Sequence, residues 1–560
     1  MRRDLKYLLL FYFLFVIVKS IIAYFVQGPS VFGDEYVYFK LARNFFENGY
    51  FMYHGEVVSK FPSLYPLIIS IAYVFQDTNV VYYVVKVINA FLSSLIIFPA
   101  YYLLKDFLSS KKALIGTVLV GLLASNFTIS NYVLSENLFY PLFLITITLV
   151  YFAFKTEKLK FFIISGLFLG LSYHTRVLAT AIVPIVFLVF LFYRTKLKNI
   201  FLHYFVALLV VLPELYKHGV NYGWTIKGVL GGYKGTGYIT ESVSSNFLNL
   251  VNWFFLNWVY VLLAAGGIFG IYFIYGYYVK EEKFRLLYLI TVLATGITAL
   301  VIANQSSIAY LPYDSALSAI FSNRPVGRYL DPCMTLIFIV GFIVFEKYDV
   351  KSKLLKGVVA FSALLFFLGS QLNIVPLLPL NNQTMTIFGA IKSFFEYLFY
   401  GNVFLGSEFH WLIFIIMLLV FVSIPFFVYI FKDKKNILYY FLILFVIVNL
   451  VLSLGAIVYN NQGWDESSQE NLGKWLDGYN EGTVMIVSSE CEIIHTKEVL
   501  NTEICPEYGS MFGFWVNKDI VVGDGSDLEG IDYVVAMDDY YPLTVLKQDG
   551  NLFIYKVGDE

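Results

Sequence analysis

The stretch MRRDLKYLLLFYFLFVIVKSIIAYFVQGPSVFGDEYVYF, residues 1–39, decides the fold class. Its apolar run near 5–27 is long enough to cross a bilayer as a helix, which takes about 20 residues. Arg2 and Arg3 precede the run, and no small-residue cleavage site follows it. It reads as a retained first helix with its N-terminus on the cytoplasmic side, not as a removable signal. Just beyond it, Gly33-Asp34-Glu35-Tyr36-Val37-Tyr38 sets two acids side by side at a membrane face. Adjacent carboxylates repel each other and gain nothing from lipid. They read either as charges on a solvated loop or as groups that orient hydroxyls, take a proton or hold a divalent cation.

The rest of the chain repeats the first run's character. Apolar residues make up 59% of the 560 and charged residues 14%, against about 25% charged in an ordinary soluble domain. The mean hydropathy is +0.70. The chain is a polytopic α-helical membrane protein. A net charge of -1 gives no general attraction to nucleic acid. The 45 Tyr and 56 Phe suit membrane interfaces and sugar stacking alike. Cys333, Cys491 and Cys505 form no metal-ligand pattern, although Cys491 and Cys505 can pair if their domain lies outside the cytoplasm.

Apolar runs lie near 5–27, 79–104, 113–130, 133–154, 161–175, 178–193, 199–216, 250–278, 285–303, 331–346, 354–372, 410–431 and 437–459. By length they predict about thirteen spans. The run 64–75 is short and bracketed by Pro62, Pro66 and Gln76-Asp77, so it reads as an interfacial or re-entrant helix. Alternating sides from a cytoplasmic N-terminus makes the inner connections Lys105–Lys112, Lys155–Lys160, Arg194–Lys198, Lys280–Arg285, Glu346–Lys356 and Lys432–Lys435, each short and bearing basic residues. The outer connections are mostly longer and poorer in Lys and Arg. An odd number of spans then puts residues 460–560 outside.

These assignments divide the chain into a transmembrane domain, 1–459, and an extracytoplasmic α/β domain, 460–560. In the latter, Ser467 with Glu470 caps an amphipathic helix over Ser467–Tyr479, with Leu472, Trp475 and Leu476 on one face. Thr483–Ser488 and Ile531–Ala536 read as strands, and Asp549-Gly550 as a hairpin turn.

The topology gathers a set of polar residues at the outer face. Asp34, Glu35, His54 and Lys60 lie in the first loop, Glu136 at the top of a later helix, Arg176 after a short apolar run, and Arg324 and Arg328 just before another span. Arginines at that depth can bind a lipid-linked phosphate bidentately, or act as headgroup anchors. Acids beside them suit proton abstraction from a hydroxyl, and Glu136 also suits a helix N-terminus. His174 reads as a packing histidine, since a lone His supplies no ligand set.

Five segments taken in order carry a resemblance: Gly33-Asp34-Glu35-Tyr36, Phe61-Pro62-Ser63-Leu64-Tyr65-Pro66-Leu67, Leu134-Ser135-Glu136-Asn137-Leu138, Gly166–Leu171 with Thr175-Arg176, and Gly327-Arg328-Tyr329-Leu330-Asp331-Pro332. Together they resemble the GT-C glycosyltransferases, in particular the protein-mannosyltransferase and aminoarabinose-transferase-like group, over most of 1–345. The resemblance implies transfer of a sugar from a polyprenyl phosphate of dolichyl or undecaprenyl type to a glycan, lipid or protein acceptor on the outer face. It implies Asp34 as the catalytic carboxylate, with Glu35 and Glu136 as accompanying acids that position the sugar or a divalent cation (Mg or Mn). It implies Arg328 at the donor phosphate; the outer-face reading adds Arg176 and Arg324 there, and Lys60, His54, Tyr65 and Tyr329 as substrate contacts. The family's second acid is often Asp, where this chain has Glu136. The Trp-Trp-Asp signature of oligosaccharyltransferases is missing, which argues against en bloc glycan transfer. A transporter or flippase of lipid-linked sugars is the alternative; it predicts inverted repeats and charges near the membrane midplane, whereas here the charges crowd the outer boundary.

Overall fold

The computed structural model describes residues 2–29, 32–53, 56–57, 61–225, 228, 247–309, 326–370, 372, 383–403, 410–461, 467–487, 509–523, 525, 527–536, 543–550 and 552–558. His54, Lys60, Arg324, Cys491 and Cys505 lie outside these. Among the described residues nine helices are long and apolar enough to cross a membrane, or ten if one bent pair is a single span. The runs that predict about thirteen spans differ from that count in identifiable places.

The run 113–130 is the bent pair, Ser110–Leu122 and Ala124–Asn131, turned by 66°. At the break the Asn126 amide donates to the Val120 carbonyl at 2.9 Å, satisfying a group that the interrupted helix ladder leaves over. The runs 161–175 and 178–193 form helices Leu159–Tyr173 and Val177–Tyr193, both shorter than a span. The run 331–346 forms the 17-residue helix Asp331–Lys347. The run 250–278 is two helices, Phe247–Ala264 and Ile268–Tyr275, broken at Gly266 and Gly267, where φ is 85° and 66°. Helix propagation fails at such angles, and hydropathy carries no trace of them.

The chain falls into two compact units. The first comprises Met1–Lys19, Ala90–Ile129 and Glu136–Ala456. At its core, helix Asp331–Lys347 is buried from Asp331 through Phe345. Phe269 of the short helix meets Phe338 edge to face at 4.8 Å. A helix apolar on every side needs neighbours on every side, and this one has them.

The second unit comprises Ser20–Asn89, Ser130–Ser135 and Ile457–Glu560. It contains helix Phe32–Asn48, a minimal antiparallel hairpin of β1 (Met52–Tyr53) and β2 (Glu56–Val57), and a short apolar helix, Leu64–Ile69, that tightens into a 3-10 turn over Ser70–Val74. That last element is the run 64–75. The C-terminal portion folds as expected for a small α/β body. Helix Ser468–Asp477 begins after Ser467, which makes no side-chain cap bond. The sheet contains β3 (Val484–Val487), β4 (Ile520–Gly523), β5 (Tyr533–Ala536), β6 (Thr544–Asp549) and β7 (Leu552–Lys556). Their order is β4-β3-β5-β7-β6, with β4, β3 and β5 parallel and β7 antiparallel to both β5 and β6. Gly550, at φ 57°, turns β6 into β7. Leu472, Leu476, Val484, Phe512, Val535 and Ile554 close one side of the sheet. Strand β4 has no counterpart in the sequence reading.

Within this unit the C-terminal segment packs on helix Phe32–Asn48. The Phe514 ring stacks on Phe39 at 4.4 Å and 18°. Lys40 Nζ donates to the Val516 carbonyl, and Arg43 Nη1 to the Lys518 carbonyl at 3.2 Å. Gly513 sits so close to the Tyr36 hydroxyl that a Cβ there would lie 2.5 Å from it. Burial pushes the Lys40 ammonium well below its usual pKa range, helped by Arg43 and opposed by Asp477, Glu47 and Asp519.

Candidate active site

Asp34 and Glu35 stand in the first turn of helix Phe32–Asn48, not on a free loop. The N–H groups of a first turn have no partner within the helix, so carboxylates are favoured there. Asp34 is half-buried and Glu35 fully buried. Glu35 Oε2 accepts the backbone N–H of Val133 at 2.8 Å. Two further links hold the same turn. The Tyr38 hydroxyl donates to Ser135 Oγ at 3.0 Å, and Asn89 Nδ2 donates to the Tyr132 carbonyl at 2.9 Å. The Tyr65 hydroxyl donates to Asn89 Oδ1 at 3.0 Å, and its ring meets Tyr38 edge to face at 5.2 Å. Tyr65, expected at the substrate, is fully buried in this network.

Sequence reasoning missed Lys86, which is buried within the membrane helix Thr78–Ser94. Its Nζ donates to the carbonyls of Ala23 at 2.8 Å and Val26 at 2.5 Å and lies 3.9 Å from the Tyr82 ring centre. A charge inside an apolar run was the signal that could have found it.

The first unit carries the arginines. Glu136 opens helix Glu136–Thr156 and is buried. Its Oε1 pairs with Arg176 Nη1 and lies 3.7 Å from Arg328 Nε. The two guanidinium groups also share the Tyr329 ring, 4.5 Å from its centre for Arg176 and 5.1 Å for Arg328. Arg328 Nη2 donates to the Tyr329 hydroxyl at 3.3 Å, and the Tyr140 hydroxyl to the Arg328 carbonyl at 2.6 Å. Four residues from three distant stretches of the chain are thereby one cluster: one carboxylate, two guanidiniums and an aromatic face. Asp331 is buried beside it in the chain and accepts from the Tyr260 hydroxyl and Thr384 Oγ1, each at 3.3 Å.

His174 is a packing histidine in an ion network. Its Nδ1 lies 3.2 Å from Glu214 Oε2 and its Nε2 2.6 Å from the Val210 carbonyl. Both ring nitrogens thus face acceptors, the arrangement of an imidazolium. Lys217 also pairs with Glu214. Among the described residues no group of three or more His, Cys, Asp or Glu side chains is placed to hold a metal ion.

Residues 60–216 match the family described as dolichyl-phosphate-mannose-protein mannosyltransferase. The fold matches ArnT from Cupriavidus metallidurans bound to undecaprenyl phosphate, at 13% identity and a TM-score of 0.55, over 97% of both chains. The apo form of ArnT matches at 12% identity and 0.51, again over 97% of each. The chain has the fold of these ArnT structures. No curated protein matches it by sequence. The family match takes in three of the five segments that carry the GT-C resemblance, Phe61–Leu67, Leu134–Leu138 and Gly166–Arg176, and the fold agrees with it.

Proposed function

We propose that the chain transfers a monosaccharide from a polyprenyl-phosphate donor to a hydroxyl acceptor on the outer membrane face, with inversion at the anomeric carbon. The observation that carries this reading is the Glu136–Arg176–Arg328 cluster over Tyr329. Two guanidinium forks held by one buried carboxylate suit a lipid-linked phosphate, a diester in the donor and a monoester once the sugar has left, better than isolated headgroup anchors would.

The acceptor oxygen attacks the anomeric carbon as the bond from that carbon to the phosphate oxygen breaks. The electron pair leaves with the lipid phosphate, and Arg328 and Arg176 stabilise its growing charge. Asp34 takes the acceptor's proton. It stands half-buried in a first helical turn, where the helix dipole favours a negative charge. Glu35 and Glu136 act as positioning residues, the first for the turn 130–135 and the second for the arginines. The basic residues of the short connections support an N-terminus in the cytoplasm and a domain 460–560 outside.

Asp34→Asn keeps the side chain's shape and removes the base. In purified protein assayed with a panel of polyprenyl-phosphate monosaccharides, transfer should fall about 100- to 10,000-fold. Wild-type transfer by the folded variant would refute the assignment.

A further inference from the structure

A cavity of about 590 Å³ opens in the second unit, between the end of helix Arg2–Tyr24, the start of helix Thr78–Ser94 and the C-terminal helix Ser468–Asp477. Pockets for small ligands span about 300–1,000 Å³. Tyr24 and Tyr83 form one wall, their rings 5.8 Å apart and at 88° to each other. Gln27, Asn79, Asn471 and Glu470 bring amide and carboxylate groups to the same space. An interfacial aromatic belt would account for Tyr24 alone. It does not account for three amides and an acid gathered around the rings.

The cavity is braced. Asn517 Nδ2 donates to Thr78 Oγ1 at 2.6 Å and to Asp477 Oδ2 at 3.0 Å, so one side chain ties the start of the membrane helix to the end of the C-terminal helix. The Asn517 N–H donates to Asp477 Oδ1 at 2.5 Å. A site fixed in this way loses little entropy on binding.

Its cations are already committed. Lys474 pairs with Glu470 and lies 4.3 Å from the Trp515 ring centre, while Lys86 donates to two carbonyls. An anion would find no cation to spare. A hydroxyl-rich neutral ligand finds rings for its C–H faces and amides for its hydroxyls. Tyr82 and Lys86, buried residues of the cavity lining, belong to the same compact unit as Asp34.

We propose that this cavity binds a neutral saccharide and that this saccharide is the acceptor side of the transfer. The second half of the statement rests on the glycosyltransferase reading; the first half does not.

The test uses the full chain in nanodiscs, prepared without sugar detergents. Saturation-transfer NMR is recorded with soluble neutral disaccharides (mannobiose, lactose, cellobiose) and, separately, with discs containing a monohexosyl lipid. Two variants accompany the wild type. Tyr83→Ala removes a ring, and Val80→Trp fills the cavity from an exposed first-turn position. At least one saccharide should bind the wild type. Tyr83→Ala should weaken it about tenfold, the scale of losing an aromatic anchor. Val80→Trp should abolish binding and raise the acceptor KM, while Asp34→Asn should bind saccharide as the wild type does. Signal only from the soluble sugars identifies a free glycan, and signal only from the lipid identifies a glycolipid headgroup. Both support the site. Saccharide binding unchanged by Val80→Trp, or no saccharide binding by a protein active in transfer, overturns the cavity and leaves the transferase reading standing. Binding lost in Val80→Trp by a chain that transfers no sugar keeps the cavity and removes its acceptor role.

Discussion

Glu35 Oε2 accepts the Val133 N–H at 2.8 Å, across 98 residues of sequence. The more buried member of the acid pair therefore holds a turn, and the half-buried Asp34 is the one we propose as the base. Glu35→Gln keeps an acceptor for the amide and should retain most transfer activity. Glu35→Ala strands a buried N–H and should cost about 1–3 kcal/mol of stability. Thermal unfolding and transfer rate on the same preparations separate these effects. Should a folded Glu35→Gln protein be as inactive as Asp34→Asn, the charge on Glu35 would itself have to enter the reaction.

Arg328 should contact the donor phosphate. A guanidinium offers a planar fork that an ammonium cannot reproduce, so Arg328→Lys should weaken donor use. Arg328→Ala should lose charge-assisted bonds worth about 1.5–3 kcal/mol, roughly ten- to a hundredfold. Donor titrations of wild type and both variants give the answer. Identical donor KM and turnover in all three would reduce Arg328 to a headgroup anchor.

Gly513 should tolerate no side chain. A Cβ there would lie 2.5 Å from the Tyr36 hydroxyl and 3.0 Å from Ile520 Cδ1, both in buried residues. Gly513→Val should destabilise by about 1–3 kcal/mol, the cost of overpacking. Gly513→Ala should be partly rescued by Tyr36→Phe, which removes the clashing oxygen. Unfolding temperatures of the two single variants and the double variant test the coupling. Strict additivity would mean that the two residues do not meet.

The domain 460–560 should face outward. Cysteines engineered at Lys434 and Glu529, both exposed, are labelled with an impermeant maleimide on intact cells in a variant lacking the native cysteines. Label at Glu529 and not at Lys434 is expected from the basic inner connections. The reverse pattern would invert the topology.

What the sequence determined by itself was local or compositional. Apolar content fixed the membrane class, because hydropathy sums over residues regardless of how they are arranged. Helix Ser468–Asp477 and the Asp549-Gly550 turn were legible because period and turn chemistry act within a few residues. The order of the five motif segments pointed to the GT-C fold. Tertiary structure alone decided the rest. It broke the run 250–278 at two positive-φ glycines and bent 113–130 by 66°, through backbone angles to which hydropathy is blind. It joined Glu136 to Arg176 and Arg328, and gave Glu35 to Val133. A carboxylate's partner is set by which side chains the folded backbone brings within a few ångströms, and residues so far apart along the chain leave no periodic trace of that meeting.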